Sequence, residues 1–162
     1  MSVTGWVLLA YVAVVTVPLT VVDLREHRLP NRIVVPGIAL AVTLGLAEAL
    51  AAGVWTPLIG GTAWFALFLL LAQLGGMGMG DVKLAAVLGT ASGFLGWQVA
   101  LAALTSAFIL GGIAAITQWV IARIRRKPPT SHIPFGPFML AGFWVCAAFA
   151  LLLSSGVSST AG

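Results

Sequence analysis

The stretch GGMGMGDVK, residues 75–83, separates two long apolar runs and decides how the rest of the chain is read. Four of its nine residues are glycine, and they lead to Asp81, with Lys83 two positions further on. Glycine weakens a continuous helix. Backbone that is not helical is tolerated at membrane depth only beside protein or a water-filled cavity. A carboxylate placed after such a stretch marks either a wet pocket or an interfacial helix start.

The surroundings decide that a membrane is involved. Of 162 residues, 60% are hydrophobic and 7% are charged, against roughly 25% charged in a soluble domain. So little polar surface cannot coat a globule in water, so the solvent must be lipid. Eight Lys/Arg against four Asp/Glu give a formal charge of +4. The basic residues are confined to short segments between apolar runs, which fits membrane orientation and not a nucleic-acid face. Cys146 stands alone and builds neither a disulfide nor a thiolate zinc site. His27 and His132 lack metal-ligand spacing, so no metal or other cofactor is expected. The N-terminal MSVTGW lacks the basic region of a cleaved signal peptide.

Six apolar runs lie near 5–22, 33–52, 55–75, 81–95, 97–122 and 134–154. Most reach the length needed to cross a hydrocarbon core of ~30 Å; the fourth is short. The expected fold is therefore all-α, a bundle of six transmembrane helices forming one membrane-embedded domain over residues 1–162. Arg25, Arg28 and Arg32 follow the first run, Lys83 opens the fourth, and Arg123, Arg125, Arg126 and Lys127 follow the fifth. With six spans these places share one side, which the positive-inside rule makes cytoplasmic, leaving both termini outside. Trp6, Trp55 and Trp97 fall at outer ends and Trp119 near an inner end, as interfacial aromatics do. Trp64 and Trp144 lie deeper and read as packing residues.

The four acids divide unequally. Glu48 is near the outer end of the second run, and Glu26 is in the loop after the first. Asp23, in VVDLREHRLPNRIVVPG, and Asp81 each stand at the cytoplasmic mouth of a helix. Each alone is an interfacial charge or a cap as readily as a functional group. Together they make a pair that can face across one cleft. Two carboxylates at close range in a low dielectric do not both ionise. The ionised member then takes a proton from water while the protonated member donates to a carbonyl oxygen. That is equipment for hydrolysing a peptide bond without a metal.

The glycines keep two readings. Gly75, Gly76, Gly78 and Gly80 strip side chains from the approach to Asp81, where bare backbone can pair with an extended substrate strand. Alternatively Gly76-x-x-x-Gly80 is a close-packing pattern between helices. The stretch is not a phosphate loop, because Asp81 and Val82 follow Gly80 where Lys and Ser/Thr are required. Lys83 either snorkels to headgroups or bonds a facing carbonyl or Asp23.

Three places resemble the prepilin peptidases, or type IV leader peptidases, membrane aspartic proteases of the GxGD class, and their preflagellin relatives. VVDLREHRLPNRIVVPG resembles the family's first-aspartate segment. GMGMGDVKLAAVLG resembles its GxGD motif, with Gly78, Gly80 and Asp81 in the motif positions and Lys83 following. IPFGPFMLAG, residues 133–142, resembles the proline-rich start of its last helix. Val22 stands before the first aspartate where presenilin-like members usually carry Tyr.

The resemblance implies an aspartic endopeptidase with Asp23 and Asp81 as its catalytic pair. Its implied substrate is a pilin-like, Flp-like or flagellin-like precursor, whose basic leader is cut at the cytoplasmic face of the plasma membrane. Membrane lipid is the other expected partner; nucleic acid is not. The paired-cysteine region that larger bacterial members link to N-methylation is not seen in these residues, so peptidase activity without methyl transfer is the expectation. The inner loops are positive, against what a basic leader would prefer, and bind anionic headgroups. The competing functions are a small transporter or proton-linked channel with paired aspartates, and a non-catalytic membrane subunit. IPFGPF and Glu26 keep structural readings beside functional ones, since proline starts helices well and a loop glutamate is usually solvated.

Overall fold

The computed structural model describes residues 1–26, 28–75, 77–125 and 135–159. Six α-helices account for nearly all of them: α1 (Val3–Glu26), α2 (Asn31–Ala52), α3 (Thr56–Gln73), α4 (Met79–Leu95), α5 (Trp97–Ile124) and α6 (Gly136–Ser159). Each coincides with one expected run to within a few residues at either end. Five are long and apolar enough to cross a membrane, and α4, at 17 residues, is the exception.

Residue size, not polarity, tells these helices which side faces in. Lipid tails are as apolar as Leu, so helices associate through close packing of small residues. In α2 the buried positions Gly37, Ala41, Gly45 and Ala49 recur every four residues, and in α5 the buried positions are Ala100, Ala103, Ala107 and Gly111. Large apolar side chains point outward instead: Val14 is 76% exposed, Leu50 74% and Ile116 65%. Such a surface suits hydrocarbon and not water.

α4 is the hub, in contact with all five other helices. Val82, Leu84, Ala85, Leu88 and Ala91 are buried along it. Its tightest partner is α3. A Cβ at Gly89 would sit 2.5 Å from the Gly60 carbonyl oxygen, and one at Gly93 would sit 2.6 Å from Pro57 Cα. This small-residue seam, Gly89-x-x-x-Gly93 against Gly60 and Gly61, lets the backbones of α3 and α4 touch, as Gly142 does for α6 on α5. The pattern expected at Gly76 and Gly80 is not tested as such, because Gly76 lies outside the described residues.

Caps follow local sequence. α2 ends on Gly53 in the left-handed region (φ 70°), whose N–H returns to the Ala49 carbonyl. α3 opens with Pro57, a residue that lacks the N–H a first turn cannot use. Trp6, Trp55, Trp97 and Trp119 are exposed and Trp64 is buried, as expected, while Trp144 donates its indole N–H to Thr16 Oγ1 at 2.8 Å, tying α6 to α1.

Candidate functional site

The chain leaves α3 through a turn at Gly75, where φ is +83°, a region costly for residues with a Cβ. Gly78 is extended and caps α4, which begins at Met79. Gly80 therefore lies inside the first turn of α4, two residues further into helix than the glycine-weakening argument placed it. The carbonyl of Gly78 accepts the N–H groups of Asp81 (3.1 Å) and Val82 (3.4 Å). Asp81 occupies the third helical position, where the positive end of the helix favours an anion.

Close approach explains Gly80. A Cβ there would stand 2.9 Å from Leu29 Cβ and 3.3 Å from Leu29 N. The missing side chain lets the connection between α1 and α2 lie directly on the start of α4, with Leu29 buried at the junction. That contact brings the last turn of α1, which carries Asp23, next to Asp81.

Asp23 is 4% exposed. It stands at the C-terminal end of α1, where the helix dipole disfavours an anion. The N-terminus of α6 offsets this: Gly136 N–H donates to Asp23 Oδ2 at 3.1 Å. A Cβ on Gly136 would come within 2.6 Å of that oxygen, so glycine is what permits the approach.

Asp23 and Asp81 line one polar cavity of about 330 Å³. Its other walls are Arg28, Leu29, Asn31, Gly78, Met79, Gly80 and Lys83. The expected site residues Asp23, Asp81, Gly78, Gly80 and Lys83 thus come together around a single space. Lys83 takes the amide-carbonyl option: its Nζ donates to Asn31 Oδ1 at 2.8 Å, joining α4 to the start of α2. Glu26 forms an exposed ion pair with Arg28 at 2.9 Å. Glu48 accepts a hydrogen bond from Thr4 Oγ1, joining the last turns of α2 to the first of α1, and takes no part in the cavity.

The contacts of Asn31, Leu29 and Gly136 at this site are not legible in the sequence. Asn31 follows Pro30 in a polar loop, and nothing local marks it as a partner for a lysine 52 positions away. Gly136 is separated from Asp23 by 113 positions, and only its place in IPFGPF drew notice. Among the described residues no cluster of His, Cys, Asp and Glu has the make-up of a metal site. His27, His132, Arg126, Lys127, Ile133 and Pro134 lie outside the described residues.

Two carboxylates from separate helices, a small polar cavity and helix N-termini aimed at the acids form a set able to position and polarise a water molecule. Residues 7–116 match the model of the Type IV leader peptidase family, a span that contains both Asp23 and Asp81. A prepilin leader peptidase/N-methyltransferase from Pseudomonas putida is 31% identical over 138 residues, covering 78% of this chain and 44% of the relative. The protein of the same name from Aeromonas salmonicida is 33% identical over 150 residues, covering 87% of this chain and 49% of the relative. The chain spans about half the length of the curated relatives it matches. No solved structure matches significantly.

Proposed function

The chain belongs to the type IV leader peptidase family, and from that premise we propose that it is a membrane aspartic endopeptidase that removes the leader of pilin-like precursors, with Asp23 and Asp81 as its catalytic pair. The observation that carries the proposal is the convergence of these two carboxylates, from α1 and α4, on one polar cavity. Everything else charged in the described chain is either basic, ion-paired at the surface, or at the far end of the bundle.

The mechanism follows from the cavity. A precursor strand enters with its scissile carbonyl between the two acids. One carboxylate, ionised, takes a proton from a water molecule held between them, and the oxygen attacks the carbonyl carbon. The other, protonated, donates to the carbonyl oxygen as it gains charge. The C–N bond then breaks and the leaving nitrogen takes the proton first removed from water. Gly78 and Gly80 leave the wall beside Asp81 without side chains, which suits an extended backbone.

Topology completes the reading. All six helices cross the membrane as one domain over residues 1–162, α4 doing so inside a sheath of the other five, and both termini lie outside. The ends that meet at the cavity face the cytoplasm, because Arg25, Arg28, Arg32 and Lys83 gather there and cationic loops stay inside. The basic loops hold anionic headgroups, and the precursor's own apolar segment lies in the bilayer beside the bundle.

The test is direct. Purified protein in detergent or vesicles is incubated with a pilin-like precursor and the product is sized by mass spectrometry. The wild type yields the shortened form, and Asp23→Asn and Asp81→Asn do not. Cleavage that persists in either variant removes the pair from the mechanism.

A further inference from the structure

Phe135 immediately precedes α6, and its carbonyl accepts the N–H groups of Phe138 and Met139, both at 3.1 Å. A peptide unit is planar, with its C=O and N–H pointing oppositely. With the Phe135 carbonyl turned into the first turn of α6, the N–H of the same peptide unit, which belongs to Gly136, points out of the helix. It points at Asp23. Pro137 contributes no N–H, and those of Phe138 and Met139 are used within the turn. Gly136 therefore supplies the one donor of residues 136–139 that is available outside the helix.

The Phe135 ring, beside that peptide plane, is packed among aromatic rings. It stands 5.9 Å from the Phe68 ring of α3 and 5.6 Å from the Phe108 ring of α5, which are themselves 5.6 Å apart. Phe68 is fully buried. One helical turn beyond Phe108, Gly111 leaves a notch in α5, and a Cβ there would overlap the Phe135 ring. The neighbouring Gly112 has open space around it, so the lack of a side chain matters at 111 and not at 112.

We propose that Phe135 is a positioning residue: seated in the Gly111 notch between Phe68 and Phe108, it holds the Gly136 N–H on the Asp23 carboxylate and so sets where that carboxylate stands relative to Asp81. The inference rests on the reading of Asp23 as catalytic. It also lies outside the span that the family model matches, which ends at residue 116.

The experiment measures kcat and KM for precursor cleavage, with thermal unfolding alongside, for wild type, Phe135→Leu, Gly111→Ala, the double variant and Gly112→Ala. Phe135→Leu and Gly111→Ala each lower kcat about 10-fold or more, because misplacing a reacting group by about 1 Å costs up to about 100-fold. KM stays within about twofold, since no residue lining the cavity is replaced. The smaller leucine makes room for the new methyl, so Gly111→Ala/Phe135→Leu cleaves faster than Gly111→Ala alone, and Gly112→Ala matches wild type.

A purely structural role gives a different pattern: lower melting temperatures, an unchanged kcat per folded molecule, and no rescue in the double variant. That pattern overturns the proposal, as does a raised KM with kcat intact. If Gly111→Ala does not accumulate as folded protein, Phe135→Leu against wild type decides by the same kcat criterion. A wild type that cleaves no precursor removes the peptidase reading itself, whereas an active wild type with unaffected variants removes only the positioning role.

Discussion

Replacing Gly80 by alanine tests the close approach that joins the two halves of the site. The new Cβ would lie 2.9 Å from Leu29 Cβ and 3.3 Å from Leu29 N, and these are not the ends of a flexible side chain. The connection between α1 and α2 must retreat by roughly half an ångström or more to restore ordinary contact. Overpacking of this kind costs about 1–3 kcal/mol, and the better helix propensity of alanine returns up to about 1 kcal/mol. The net loss of stability is therefore modest, about 0–3 kcal/mol by those two figures. The effect on cleavage is larger, because Leu29 and Asp81 line the same cavity and the displacement separates its walls. We expect cleavage to fall about 10- to 100-fold, in line with the cost of an ångström-scale misplacement.

Gly78 supplies the contrast. A Cβ there meets nothing closer than Asp81 Oδ2 at 3.7 Å, and its φ of −80° suits any residue. Gly78→Ala keeps cleavage within about fivefold, the residual loss reflecting a poorer helix cap and a methyl added to the cavity wall. Single-turnover cleavage of a pilin-like precursor, with thermal unfolding of each variant, measures both. Equal damage at the two glycines, or full activity of Gly80→Ala, would refute the steric reasoning.

Other outcomes follow from neighbouring features. Lys83→Met and Asn31→Ala each break the 2.8 Å bond between α4 and α2; with both partners accessible, each costs less than about 1 kcal/mol. The double variant should be no worse than either single one, as a double-mutant cycle on unfolding would report. Gly61→Ala places a methyl against Thr90 Oγ1 and 3.1 Å from the Ala86 carbonyl oxygen, lowering stability by about 1–3 kcal/mol, while Gly112→Ala leaves it unchanged or slightly raised on thermal unfolding. The rate of cleavage against pH is bell-shaped. Below the lower apparent pKa of the pair both acids are protonated and no base remains; above the upper one both are ionised and no acid remains. A rate constant that is flat from about pH 4 to 9 is incompatible with two coupled carboxylates.

Hydropathy carried the helices. Every expected run became a helix, since an apolar stretch withdrawn from water must satisfy its own backbone hydrogen bonds. Hydropathy could not carry the arrangement, since all faces are apolar and no periodic stripe separates inside from outside. The signal for the central place of α4 was small residues instead: Ala85, Gly89, Ala91 and Gly93 let neighbours close in on it. The two aspartates were legible as a pair because charge is rare in this chain and both stand near helix ends. Their supports were not. Leu29 on Gly80, Lys83 on Asn31 and Gly136 on Asp23 are contacts between residues 51 to 113 positions apart, and no local pattern encodes which of the bundle's many neighbours will meet.

The central claim is that Asp23 and Asp81 act as one unit on one water molecule. It is tested most directly by comparing precursor cleavage by Asp23→Asn, Asp81→Asn and the double variant under single-turnover conditions. Residues that work as a unit are not additive, so each single change should abolish cleavage to the same residual rate, and the double variant should be no slower. Losses that multiply in the double variant, or a single variant that retains substantial cleavage, would contradict it.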